Sequence, residues 1–137
     1  RRAGVRALPF LPQARYDELL WACDLNFVRG EDSFVRAQWA ARPLVWQPYR
    51  QDDGAHQRKL QAFLARYDKG LAPAAAAALG GFWRCWNGDP AGIETAWPAL
   101  RGALGEIGVH ADRWARDLAV HADMAGQLAG FAANRVK

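Results

Sequence analysis

The residues best suited to chemistry lie together in Arg29-Gly30-Glu31-Asp32-Ser33. A guanidinium can hold a phosphate through two parallel N–H donors. Backbone N–H groups near Glu31 to Ser33, at a helix start, can bind the same anion, and the Ser33 hydroxyl adds another donor. The same residues admit a purely structural reading, in which Asp32 or Ser33 caps a helix and Arg29 pairs with Glu31 or Asp32. Two carboxylates beside a phosphate repel it, so at least one of Glu31 and Asp32 needs a neutralising partner or another ligand group. The triple-glycine spacing of a dinucleotide fingerprint is absent.

Gln13 and Tyr16 form a second pair of interest. The ring could stack on a base while the amide reads a polar edge; alternatively Tyr16 is a helix-face aromatic packed in the core. His56, His110 and His121 are too dispersed for a metal site or a catalytic pair. His110 and His121 are expected at a helix surface or boundary, and His56 opens a helix near the loops of the sheet. Trp83, Trp86, Trp97 and Trp114 are expected in the core. Cys23 and Cys85 have neither metal-ligand spacing nor a disulfide framework, and read as reduced and buried. Nothing resembles a nucleophile–base pair.

Around this turn, Leu25, Phe27 and Val28 supply a short strand, Gly30 permits a turn conformation that a side chain resists, and Phe34, Val35, Gln38 and Trp39 give the following helix an apolar face. A strand entering a helix N-terminus is where open α/β sheets bind anions. Val5 to Leu11 is an edge-strand candidate limited by Pro9 and Pro12. Tyr16 to Cys23 is helical, and Leu44-Val45-Trp46 is a third strand. Residues 1–50 are thus expected to be a βαβαβ segment with a parallel sheet, carrying the ligand site.

Residues 54–137 read as a helical region. Leu60, Phe63, Leu64 and Tyr67 share one face of a helix closed by Gly70. Pro73 starts a second helix through the alanine run 74–78, which Gly80-Gly81 loosens. Trp97, Leu100, Leu104 and Ile107 mark a third. After Gly108, Trp114, Leu118 and His121 mark another, running on through Met124, Leu128 and Phe131.

The chain has 137 residues, enough for one domain or part of a larger one. With 51% hydrophobic residues and seven Trp it can bury a proper core. A net charge of +4 suits an anionic small molecule or an acidic partner, but Lys and Arg are scattered, which disfavours nucleic acid. No apolar run is long enough to span a bilayer and no signal-peptide pattern opens the chain, so a cytoplasmic location is expected. The first residue is Arg1 rather than Met, so a fragment or processed piece is expected.

The run Leu8-Pro9-Phe10-Leu11-Pro12-Gln13, then Tyr16-Asp17 and Leu19 through Trp39, resembles the protein-arginine rhamnosyltransferases that modify bacterial translation elongation factor P, the EarP family. The resemblance is dense from Leu8 to Trp46, looser through 56–67 and thin beyond. It implies the Rossmann-like, donor-binding C-terminal domain of a GT-B glycosyltransferase, followed by a helical part. It implies inverting transfer of L-rhamnose from dTDP-β-L-rhamnose to an arginine side chain, without a metal or other cofactor. On this resemblance Gln13 and Tyr16 fall at the thymine base. Arg29, Gly30, Asp32 and Ser33 fall at the diphosphate and sugar, and Glu31 at a position needed for activity. Gln47-Pro48-Tyr49 departs from a His-containing version of that loop, so Gln47 carries no role. The general base and most of the surface for elongation factor P are expected in an N-terminal domain outside this chain, which alone should then be inactive. The competing expectation is a non-catalytic interaction module in which residues 72–137 dock a partner and the 29–33 turn is structural.

Overall fold

Two four-residue segments pair at the centre of this computed structural model, which describes residues 4–121 and 123–135. Strands β1 (Asn26–Arg29) and β2 (Leu44–Gln47) lie parallel, with Asn26 opposite Leu44 and Arg29 opposite Gln47. β1 alternates buried and exposed residues, whereas β2 is buried from Leu44 to Trp46 and so is covered on both faces. Helix α1 (Gln13–Ala22) precedes β1, and α2 (Asp32–Trp39) makes the crossover between the strands. Helices α3 (Ala55–Tyr67), α4 (Pro73–Asn87), α5 (Ile93–Ala119) and α6 (Met124–Arg135) follow, with a single 3-10 turn at Pro90–Gly92. The fold is mixed α/β and mostly helical.

The expected strand at residues 5–11 does not form; those residues are irregular. Pro9 and Pro12 remove two donors from any ladder. Val5 and Phe10 are 97% and 99% exposed, so no neighbour rewards pairing. Among the described residues the sheet has two strands, and 1–50 is a βαβ unit preceded by a helix rather than βαβαβ.

Aromatic packing joins the sheet to the helices. Phe63 of α3 contacts Phe34 on α2 and Trp83 on α4, with ring centroids 4.7 and 5.8 Å away, and Trp114 on α5 at 5.9 Å. Phe34 stacks on Trp46 of β2 at 3.9 Å. Each buried indole N–H needs an acceptor. Trp83 donates to the Leu44 carbonyl (3.1 Å) and Trp46 to the Gly30 carbonyl (2.7 Å). Leu60, Leu64 and Tyr67 are buried on the predicted face of α3. The Tyr67 hydroxyl is buried without a hydrogen-bond partner among the described residues, and desolvation pushes its pKa well above the ordinary tyrosine value.

Gly70 follows the end of α3 as expected, but Gly80-Gly81 and Gly108, expected to loosen or divide helices, do neither. α4 runs unbroken through Gly80-Gly81, with Gly80 buried, and α5 is one helix of 27 residues through Gly108. Helix cooperativity and burial of Leu100, Ile107 and Ala111 outweigh the roughly 1 kcal/mol that an interior glycine costs. Pro98 sits in the second turn of α5, where it forfeits one intrahelical bond, to Glu94. The helix expected to run on through Met124, Leu128 and Phe131 does not do so: α5 ends at Ala119, and α6 is a separate helix with none of its residues buried.

His110 is the clearest departure from expectation. It is 3% exposed rather than at a surface. One side of its ring meets the Tyr67 carbonyl at the end of α3, and its Nδ1 accepts from Arg113 at 2.9 Å. Nε2 therefore carries the proton and donates to Tyr67, satisfying a carbonyl left open at a helix end. Cys23 and Cys85 are partly rather than fully buried, and Trp97 is 36% exposed, unlike the buried Trp83.

Candidate functional site

Gly30 fixes the turn between β1 and α2. Its φ is +78°, and a β-carbon there would lie 2.6 Å from Cε2 of Tyr49. Only glycine fits both the backbone and the space. Its N–H donates to the Gln47 carbonyl at 3.0 Å, extending the ladder by one residue before the chain turns. α2 then begins at Asp32 with Glu31 as its N-terminal flanking residue, and no side chain caps it. The expected cap by Asp32 or Ser33 is not made, because Asp32 turns to Arg36 instead, Nε to Oδ2 3.1 Å. Without a side-chain cap, the leading N–H groups of α2 keep their capacity for an anion.

Both carboxylates at this turn have a cationic partner. Glu31 lies 3.5 Å from Lys59 of α3, and Asp32 is held by Arg36. The repulsion that two acidic groups would impose on an anion is thus offset locally. Arg29 makes no ion pair among the described residues, so the structural reading that paired it with Glu31 or Asp32 does not hold. Its guanidinium sits over the Tyr49 ring, 5.3 Å from the centroid, a cation–π contact.

A cleft of about 710 Å³ opens beside the turn, within the size range of small-molecule sites. Gln13, at the start of α1, and the half-buried Tyr16 line it together with Asp32 and Ser33. Tyr16 also packs against the core, so its two readings are both met in part. Leu8, Pro9, Phe10 and Leu11 complete the wall. Arg29 lies apart from this cleft, in a smaller hollow of about 260 Å³ lined by Gln47, Arg50, His56 and Asn87. The Nδ1 atom of His56 accepts from the Gln51 backbone N–H at 3.1 Å. The structure thus brings Gln13, Tyr16, Asp32 and Ser33 into one cleft. Gly30 and Glu31 lie at the turn between it and the hollow that holds Arg29.

Pattern reading missed Arg36, Tyr49 and Phe10. Arg36 carried a usable signal, since it lies four residues after Asp32 on the same helix. Tyr49 carried none, because its contact with Gly30 joins two separate loops. Among the described residues no group of His, Cys, Asp and Glu side chains is arranged to hold a metal, and no helix is long and apolar enough to cross a membrane.

The protein is mixed α/β, with two parallel strands, a helix N-terminus following the first and a cleft beside that turn, the place where open α/β sheets hold ligands. The family described as Elongation-Factor P (EF-P) rhamnosyltransferase EarP matches this chain over residues 2–133, and the chain belongs to that family. It is 50% identical over 130 residues to a protein-arginine rhamnosyltransferase of Pseudomonas putida, covering 95% of this chain and 34% of that protein. The corresponding protein of Pseudomonas aeruginosa is 49% identical over the same shares. A solved structure described as the structural basis for EarP-mediated arginine glycosylation of translation elongation factor EF-P superposes with a TM-score of 0.80 at 47% identity, covering 92% of this chain and 39% of that one. The chain spans about a third of the length of these curated relatives.

Proposed function

We propose that this chain is the donor-binding part of an inverting GT-B protein-arginine rhamnosyltransferase of the cytoplasm. The enzyme would transfer L-rhamnose from dTDP-β-L-rhamnose to an arginine of translation elongation factor P. The observation that carries the reading is the convergence of Gln13, Tyr16, Asp32 and Ser33 on one cleft beside an uncapped helix N-terminus. The family's named activity selects the reaction.

In this reading Tyr16 gives the thymine a flat apolar face and Gln13 supplies an amide for its polar edge. The diphosphate lies across the N-terminus of α2, with Ser33 donating and Arg29 approaching from the other side of the Gly30 turn. As the sugar–phosphate bond breaks, negative charge grows on the departing dTDP. Oriented N–H groups stabilise that charge with little reorganisation, Arg29 joins them by turning from its place over the Tyr49 ring, and no metal is required of the donor site. Glu31, restrained by Lys59, would position the sugar or orient the acceptor guanidinium. The general base and the main contacts with elongation factor P would lie in the portion of the relatives that this chain does not span.

A thermal melt of the chain with millimolar dTDP, and with UDP and GDP as controls, tests the assignment. Stabilisation by dTDP alone is expected, since a ligand that binds only the folded state raises the melting temperature. An equal response to all three, or to none, counts against it. Met124, Leu128 and Phe131 form an exposed apolar stripe on α6, as an interaction module would show, but that stripe leaves the cleft unexplained.

A further inference from the structure

Arg36 stands where the two walls of the cleft meet. It lies on the second turn of α2, with its side chain 24% exposed. One guanidinium nitrogen donates to both carboxylate oxygens of Asp17, at 3.0 and 2.9 Å, while Nε donates to Asp32 at 3.1 Å. Asp17 directly follows Tyr16 on α1, and Asp32 directly precedes Ser33 on α2. The fork thus spans the base-facing wall and the phosphate-facing wall. Among the described residues it makes the only side-chain hydrogen bonds between α1 and α2.

We propose that Arg36 is a positioning residue of the donor cleft, bridging Asp17 on α1 and Asp32 on α2 so as to set the separation of the walls and screen an anionic donor from both carboxylates. The inference rests on the donor reading above. Two features distinguish it from ordinary surface pairing. First, the fork is shared by two carboxylates on different elements, a planar recognition that a lysine cannot reproduce. Second, Asp32 and Arg36 line the cleft read as taking a diphosphate, whereas Asp17 lines an adjoining hollow that shares Arg36 and lies one residue from the cleft-lining Tyr16. Removal of Arg36 would leave two negative groups there with a single positive charge gone, and the penalty would fall on the charged part of the ligand.

The discriminating experiment is calorimetric titration of the 137-residue chain with dTDP and, separately, with uncharged thymidine. Wild type, Arg36→Gln and the Arg36→Gln/Asp17→Asn double variant are compared, with melting temperatures in parallel. Arg36→Gln is expected to weaken dTDP about tenfold and thymidine much less, and adding Asp17→Asn to recover most of the loss, because charge and not packing is being restored. A purely structural arginine would weaken both ligands equally and gain nothing from the second substitution; that result overturns the proposal. So does dTDP affinity in Arg36→Gln within about a factor of two of wild type. Absence of dTDP binding in the wild-type chain is a different failure, since it removes the donor reading itself. If Arg36→Gln melts too low to titrate, Arg36→Lys keeps the charge but loses the two-sided fork. It is expected to weaken both ligands alike, by about threefold, and unchanged binding of both overturns the bridging role.

Discussion

The ring of Tyr49 fills the space that a side chain at Gly30 would need: a β-carbon there would stand 2.6 Å from Cε2 of the ring, at a residue whose φ is +78°. The same ring lies under the Arg29 guanidinium. Turn and cation are therefore set by one side chain from the loop after β2. Gly30→Ala should cost about 2 kcal/mol or more, combining left-handed backbone strain with the clash. In a Tyr49→Ala background the added cost should shrink to the backbone part alone, about 1 kcal/mol. Urea unfolding of the four proteins measures this, and strict additivity would show that the ring is irrelevant to the turn.

Arg29 and Glu31 should separate by the kind of defect they cause. Arg29→Ala is expected to weaken dTDP about tenfold, as loss of a charge-assisted phosphate contact. Glu31→Ala, made in an enzyme of the relatives' full length, is expected to lower turnover more than donor binding. Calorimetry with steady-state kinetics distinguishes them, and normal behaviour of both variants would sink the site assignment.

His110 gives the fold a predictable response to acid. Burial first, and then the Arg113 charge, favour its neutral form and lower its pKa from the ordinary value, against the opposing effects of the Tyr67 carbonyl, Asp117 and Asp68. The unfolded chain therefore binds the proton more readily than the folded one. This contribution is fully present above the unfolded-state pKa of about 6.5 and is lost as pH falls below it toward the lowered folded value. Urea midpoints at several pH values between neutrality and mild acid should fall on acidification. In His110→Gln that fall should be smaller; an identical pH profile would assign the acid sensitivity elsewhere.

Trp83 tests how far the sheet depends on the helical half. It is fully buried and its indole N–H donates to the Leu44 carbonyl of β2. Trp83→Phe keeps an aromatic ring but leaves that acceptor unpaired and a small void. A loss of about 2–4 kcal/mol is expected in denaturant unfolding. A loss below about 1 kcal/mol would show that the void closes and the carbonyl finds another donor.

The elements around the candidate site were legible because each is a local pattern. Leu25 to Val28, Gly30 and the spacing Phe34, Val35, Gln38, Trp39 give β1, the turn and α2 without reference to the rest of the chain. Leu44 to Trp46 and the face of α3 follow in the same way. What stayed hidden depends on partners distant in sequence. Val5 to Leu11 has strand-like residues, yet among the described residues no strand pairs with it. Gly80 and Gly108 look like breaks until the contacts that bury α4 and α5 are known. His110 reads as a surface residue because its acceptor, the Tyr67 carbonyl, is 43 positions away. Within the cleft, Gln13, Tyr16, Asp32 and Ser33 were nameable by type, whereas Tyr49 became visible only through the space it fills.

The unbroken course of α5 has a mechanical consequence. Within nine residues it sends Glu106 to the Ala72 N–H, His110 to the Tyr67 carbonyl, Arg113 to the Gly70 carbonyl and Trp114 to the Gln38 amide oxygen of α2. At roughly 1.5 Å per residue, these attachments occupy about 12 Å of a single rigid rod. The end of α3, the α3–α4 link and the crossover helix α2 are thus clamped to one stiff beam and cannot drift independently. Backbone amides in these three places should exchange with solvent as one cooperative unit, and the cleft-facing end of α2 inherits its steadiness from a helix that never reaches the cleft.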